Sequence, residues 1–500
     1  MEQLIGGLQN VLTLSNLVYC FGGAALGTLV GVLPGLGPSS TLAILLPLTT
    51  YLNPTGAAIM LAGICYGAMY GGSTTSILIN IPGEAASVVT CYDGFPMTRD
   101  GRGGQALWIA AVGSFIAGTI GVIGTCLIGP ELAKYALKFG PPEYFGLLIF
   151  SLSMVIGLAG ASMLKGLGAG LMGMLLAAIG LDPLTGTPRM NFGNTELTLG
   201  FEIIPVVVGL FGIGEMLSST GQGETHIYRG KLGRMTPKGA ELKKGLWASL
   251  RGTLLGFPLG LIPGMVTPLS TFFSYDLEKR ISRYPEKFGT GVIEGVAGPE
   301  AANNATSQAG FIPLLSLGIP TAPSMAILLA GMTLYGLQPG PQLFQTNSLF
   351  VWTVIASMYV GNVMCLVLNL PLIGLWSRLA LIPYRYLAPA ILAICVIGAY
   401  SPRNSMFDVW VALGFGLLGY YMKKAQWPTA PLILGFMLGP MLEVAMRQTV
   451  SMGQAAGNIA TPFMRPIPVV FMLLAVVSIA LSLYLKRSRV PKAIWEDEAE

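Results

Sequence analysis

Residues 31–41 read GVLPGLGPSST, and residues 260–271 read GLIPGMVTPLST. In both, an apolar run is cut by a Pro-Gly pair, Pro34-Gly35 and Pro263-Gly264, and resumes through hydroxyls. These are Ser39, Ser40 and Thr41 in the first stretch and Thr267, Ser270 and Thr271 in the second. Proline removes an intrahelical hydrogen bond and glycine loosens the backbone. Where lipid is the solvent, backbone groups freed in this way need partners inside the protein. A helix that restarts after such a break offers unpaired N–H groups and a positive dipole end. A kink with N-capping hydroxyls accounts for one break taken alone. The same break placed in both halves of a chain points to a site between them.

The composition around these stretches requires that solvent to be lipid. Of 500 residues, 53% are hydrophobic and 10% are charged, against about 25% charged in soluble domains. The mean hydropathy is +0.67. A bilayer core of ~30 Å needs about 20 apolar residues per helix, and on that measure some 11 to 14 membrane segments are expected. Regions 300–336 and 428–446 are apolar but rich in Gly and Pro, and they read as broken or re-entrant helices. The 67 glycines suit helices that approach closely in lipid. The N-terminus shows no basic region or cleavage site, so the first apolar run is expected to remain in the mature protein.

Two polar stretches interrupt this apolar background. YGAMYGGSTTSILINIPGEAA, residues 66–86, carries Ser73, Thr74, Thr75, Ser76 and Asn80. GPEAANNATSQAGFIPLLSLGIPTAPS, residues 298–324, carries Asn303, Asn304, Thr306, Ser307 and Gln308. Each runs into an Ile-Pro break, at Pro82 and at Pro320-Thr321. Buried amides and hydroxyls cost free energy unless bonded. Helix–helix contacts explain two or three of them, and the density points to a polar cavity. Glu84 and Glu300 adjoin the two stretches and are the candidates for holding a coupling cation, with Asn303 and Asn304. Most other acidic residues read as solvated caps near helix ends.

Segments of the two halves echo one another in chain order, at offsets rising from 229 to 263 residues. The expected fold is therefore an all-α polytopic membrane protein of two homologous halves. Residues 1–217 and 248–486 form the halves, 218–247 a basic cytoplasmic linker and 487–500 a cytoplasmic tail. Basic residues in the linker, in 276–290 and after 486 place those segments inside. That placement favours a parallel repeat. The uncharged start of the first half, against the basic start of the second, favours an inverted one, which is the arrangement expected here.

The function classes narrow by elimination. No HExxH, GxSxG, P-loop or dinucleotide fingerprint occurs in a fitting context, so no enzyme is expected. The six cysteines show no metal or disulfide spacing. His226 reads as a solvated residue of the linker. No basic stripe suits nucleic acid. A secondary transporter fits best, and a channel or an intramembrane enzyme without a recognised motif is the alternative. Neither cofactor nor metal is expected beyond a coupling cation, H⁺ or Na⁺.

The two break stretches and the two polar stretches, together with PTAPLILGFMLGPMLE at 428–443, resemble the TctA family, the large membrane subunit of tripartite tricarboxylate transporters. The resemblance implies ion-coupled uptake of a carboxylate, a tricarboxylate such as citrate by default, across a bacterial inner membrane. It also implies a small membrane subunit and an extracytoplasmic solute-binding protein as partners. Substrate contacts are expected from the breaks, Ser39 to Thr41, Ser73 to Thr75, Asn80, Thr267, Ser270, Thr271, Asn303, Asn304, Thr306, Pro320 and Thr321.

Overall fold

The computed structural model describes residues 2–33, 36–157, 162–219, 233–263, 267–379, 384–401 and 403–487. Pro34, Gly35, Gly264, residues 220–232 of the linker with His226, and nearly all of the tail lie outside the described residues.

The described chain is almost wholly helical. The first half runs α1 (Glu2–Val11), α2 (Leu14–Gly31), α3 (Pro38–Thr49), α4 (Pro54–Ile79), α5 (Val88–Arg99), α6 (Gly103–Ala136), α7 (Pro141–Gly157) and α8 (Met163–Ala177). A short hairpin follows, β1 (Gly180–Leu181) against β2 (Pro188–Arg189), with Gly180 opposite Arg189. Then come α9 (Ile203–Val207), a widened turn at Val208–Ile213, and α10 (Gly214–Ser219). After the linker come α11 (Gly239–Gly260), α12 (Thr267–Ile281), α13 (Glu294–Ala309), α14 (Phe311–Leu317), α15 (Pro323–Thr333) and α16 (Leu343–Thr346). The chain ends with α17 (Ser348–Asn369), α18 (Ile373–Leu379), α19 (Tyr384–Tyr400), α20 (Met406–Lys424), α21 (Thr429–Ala455) and α22 (Pro466–Arg487).

Local chemistry sets the breaks. Pro38, Pro54 and Pro323 each open a helix at its first position, where a missing N–H costs nothing. Asn53 caps α4 by accepting from the Gly56 N–H. Asn80 ends α4 in the left-handed region at φ 57°, and Gly318 ends α14 at φ 72°.

Among the described residues four helices, α2, α6, α17 and α21, are long and apolar enough to cross a membrane, and six apolar segments are shorter. These ten segments, four plus six, fall short of the expected 11 to 14. The region 300–336 is broken as expected, into α13, α14 and α15. The region 428–446 is not: it lies in the unbroken α21, with Pro440 inside the helix. There Gly435 and Gly439 press α21 onto Gly170 and Met174 of α8, so packing outweighs the proline. α11 begins at Gly239, inside the segment 218–247, and α12 runs to Ile281 within the second basic stretch.

Glycines set how the helices run. A Cβ at Gly23, Gly27 or Gly31 of α2 would meet the carbonyl oxygens of Met60, Ile64 and Ala68 of α4 at 2.4, 2.4 and 2.3 Å. At Gly252, Gly256 and Gly260 of α11 it would meet those of Gly298, Ala302 and Thr306 of α13 at 2.2, 2.4 and 2.1 Å. Each pair therefore runs parallel at a distance only glycine permits. α4 runs with α17, through Tyr66 to Ser357 and Tyr70 to Asn362. α17 runs against α6, through Asn362 to Phe115 and Tyr359 beside Cys126. α6 runs with α11, through Ile109 on Gly245 and Ser249 on Gly113. Followed through these contacts, α2 and α4 point opposite to α11 and α13.

The two ends of the molecule carry different loops. The linker and the β-hairpin lie at opposite ends of the helical segment 203–219. At the linker end, Lys423 pairs with Glu215 at 2.6 Å. At the hairpin end, Arg189 forks onto both oxygens of Glu443 at 2.7 and 2.8 Å, and Arg447 reaches Asp182 at 2.6 Å. Glu443 therefore sits within α21 as an ion-pair partner, not as a solvated cap.

Candidate functional site

The first polar stretch forms the last turns of α4, and Ser73 to Ser76 are all buried. Thr75 donates to the carbonyl of Gly72, which satisfies it within the helix. Beyond Asn80 the chain folds back on α4. A Cβ at Gly83 would fall 2.4 Å from the Cα of Gly72, so two glycines permit the return. Ser76 donates to Ser87 Oγ at 2.9 Å, and Ser87 donates to the carbonyl of Glu84. This pinned turn holds the half-buried Glu84 against the second half.

The second polar stretch is α13, with Glu300, Asn303 and Asn304 buried. Asn303 donates its amide N–H to Glu84 Oε1 at 2.7 Å. Ser73 and Thr90 donate to the two oxygens of Glu300, each at 2.5 Å. Asn304 donates to Ser114 Oγ at 2.8 Å and to the carbonyl of Glu300 at 3.1 Å. Two stretches over 200 residues apart in sequence thus form one network. Among the described residues, no Lys or Arg lies within ion-pair distance of Glu84 or Glu300. Among the described residues, the amide oxygens of Asn303 and Gln308 are buried acceptors without a hydrogen-bond partner, as is the hydroxyl of Ser307. Uncompensated acceptors in a buried site suit a positively charged guest. No three His, Cys, Asp or Glu side chains converge as a metal site among the described residues.

The segments following both breaks approach this network. Gly37, beside the first break, faces Glu84, where a Cβ would lie 3.3 Å from the Glu84 Cβ. α12, after the second break, packs against the turn at Ala85–Ser87. Ser40, Thr41, Pro263, Ser270 and Thr271 are buried, while Ser39 and Thr267 are half-buried. Several expected substrate hydroxyls are committed locally. Thr41 donates to the carbonyl of Gly37, Ser270 to that of Thr267, and Thr271 to that of Pro268. Thr306 bonds the carbonyls of Gly256 and Ala302, so it seals the α11–α13 seam. Asn80 is exposed at the end of α4, and Pro320 and Thr321 are buried, with Thr321 facing Gly310.

Other residues enter through the fold alone. Thr90 and Ser114 complete the network. Asp93, fully buried, takes the N–H groups of Gly289, Gly291 and Val292 on Oδ1 at 2.8–3.0 Å and the Tyr275 hydroxyl on Oδ2 at 2.9 Å. This clamps the basic loop before α13 to α5. The only sequence signal for it was an acid within the run VVTCYDGF.

Residues 17–434 match the tripartite tricarboxylate transporter TctA family. A protein of Agrobacterium vitis, described as an uncharacterized 52.8 kDa protein in the TAR-I ttuC' 3' region, is 44% identical over 487 residues. That match covers 97% of each chain. A second, an uncharacterized protein in the TAR-II ttuC' 3' region of the same organism, is 43% identical over 237 residues, 47% of this chain and 98% of that one. No solved structure matches. The chain belongs to the tripartite tricarboxylate transporter TctA family.

Proposed function

We propose that this chain is the large permease subunit of a bacterial inner-membrane transporter, importing a carboxylate handed over by an extracytoplasmic solute-binding protein and working beside a small membrane subunit. A tricarboxylate such as citrate is the default substrate, and transport is coupled to H⁺ or Na⁺. The observation that carries the reading is the Asn303–Glu84 and Ser73–Glu300 network. It joins the two polar stretches into one buried site flanked by the segments after both breaks. Buried carboxylates without a Lys or Arg partner are where a coupling cation is most stabilising.

The same reading takes the halves as inverted repeats. Its support is twofold. The glycine seam of α2 recurs in α11 at an offset of 229, with the partner carbonyls of α4 recurring in α13 at 238. These offsets equal those of the first two sequence echoes, and the two seams point in opposite directions. Such repeats carry substrate and ion sites at their interface.

The test is uptake into proteoliposomes holding this chain and its small partner, with the binding protein supplied outside. Saturable carboxylate uptake that needs an imposed ion gradient and the binding protein is expected. Gradient-independent flux that does not saturate would replace the carrier by a channel.

A further inference from the structure

A second polar space lies one hydroxyl away from Glu300. It is a cavity of about 10 Å³ between α4, α6 and α17, reached by Tyr70, Ser73, Thr74, Ser114 and Asn369. That is the room of roughly one water-sized sphere. What distinguishes it is where its protons go. Tyr70 donates to Asn362 Oδ1 at 2.9 Å, and Ser73 donates to Glu300 at 2.5 Å. The Asn369 amide nitrogen donates to the carbonyl of Cys365 at 2.8 Å. Asn369 Oδ1 is buried and has no partner. Tyr70 and Ser73 therefore have lone pairs to offer and no proton to spare, and Asn369 Oδ1 is an acceptor without a donor among the described residues. A positively charged guest completes these three acceptors.

Electrostatics select the same guest. Glu300 is 1% exposed and, among the described residues, faces no Lys or Arg. A cation bound beside Ser73 would stabilise that carboxylate through the shared hydroxyl. Small hard cations take neutral and anionic oxygens together as ligands.

We propose that this cavity binds one monovalent cation of sodium's size, held by Asn369 Oδ1 and the Tyr70, Ser73, Thr74 and Ser114 oxygens, with Glu300 behind Ser73 as the counter-charge. The inference rests on the ion-coupled reading above and names the ion and its ligands. The network then explains coupling. Ser73 links the cation to Glu300, and Asn304, bonded to both Ser114 and the Glu300 carbonyl, links it to α13. Occupancy and the arrangement of α13 against α4 are thermodynamically reciprocal.

The experiment uses the purified full chain in detergent, with sodium chloride titrated against choline chloride at constant ionic strength and thermal unfolding as the readout. A ligand that binds the folded state raises the midpoint in a saturable way. The expected result is a sodium-specific rise, absent in potassium, whose half-saturating concentration increases at least tenfold in Asn369→Leu and in Thr74→Val. Asn369→Asp adds a charged ligand, so its half-saturating concentration should fall; it also covers the case in which the other two variants do not fold. Absence of any sodium-specific rise in the parent chain, as for a cavity that takes only water, overturns the proposal. So does a half-saturating concentration unmoved in all folded variants. If sodium has no effect but gradient-driven carboxylate uptake persists, only the cation site fails. If sodium binds as described but no uptake occurs, the transport reading fails instead.

Discussion

The amide nitrogen of Asn303 lies 2.7 Å from Glu84 Oε1, and this bond joins the middle of α13 to the turn that follows α4. The other amide atom, Asn303 Oδ1, is buried and unpartnered. One side chain therefore holds the two halves together and presents a free acceptor beside a carboxylate. Asn303→Ala removes both. Substrate affinity is expected to weaken by about 1–3 kcal/mol, and the apparent affinity for the coupling ion to weaken with it. Concentration dependence of uptake in proteoliposomes checks this. Unchanged substrate and ion dependence would move the site away from α13.

The glycine seams give a stability prediction. Gly256→Leu forces a side chain into the carbonyl of Ala302, where even a Cβ falls at 2.4 Å. Overpacking of this kind costs about 1–3 kcal/mol or more. The thermal midpoint of the purified protein should fall clearly, and Gly27→Leu should do the same through Ile64. Gly414→Ala is the control, since its Cβ meets nothing within 4 Å. Equal midpoints in all three would contradict the packing.

Asp93 should matter to both fold and flux. Asp93→Ala leaves three backbone N–H groups and the Tyr275 hydroxyl without their acceptor. Each orphaned buried donor costs about 1–3 kcal/mol. Hydrogen exchange in 285–293 is expected to quicken markedly, while exchange in α21 stays as it was. Protection of 285–293 equal to that of the parent would show that the loop holds itself.

Chain direction predicts sidedness. Arg234 lies at the linker end and Phe192 just past the hairpin at the other, and basic loops resist translocation. In intact cells an impermeant thiol reagent should label Phe192→Cys and leave Arg234→Cys untouched. The reverse pattern would invert the whole topology.

The hairpin should also resist acid. Asp182 lies outside the membrane-spanning helices. The N–H of Thr185, then Arg447, then the N–H of Leu184 hold its carboxyl well below the ordinary carboxylate range. A carboxyl lowered by folding adds stability above its unfolded pKa and loses it only as pH falls through the folded value. A spin label on Phe192→Cys is thus expected to keep its mobility from pH 8 to about pH 5, still above the ordinary carboxyl value. Asp182→Asn should raise that mobility across the whole range. Loosening of the parent above pH 5 would show that Asp182 is not what pins the hairpin.

Much of this was legible in the residues themselves. Low charge and long apolar runs dictated lipid as solvent. Proline, glycine and hydroxyls marked where helices stop and restart. Glu84 and Glu300 stood out because acids beside dense amides are costly in an apolar setting. These are local properties: each depends on a residue and a few neighbours along the chain. The tertiary structure alone decided who meets whom. Thr90, Ser114 and Asn369 are unremarkable in sequence and acquire roles only because α4, α5, α6, α13 and α17 bring them to Glu300 or to the cavity beside it. Thr306, Ser270 and Thr271 stood out as hydroxyls beside the breaks, and only the structure shows that each donates to a backbone carbonyl. The unbroken α21 reads as a broken helix until Gly435 and Gly439 are seen against α8. The reason is common to all of them. Composition specifies burial and backbone propensity, whereas a hydrogen-bond partner 200 residues away depends on helix direction and register, which glycine contacts set only once the helices have packed.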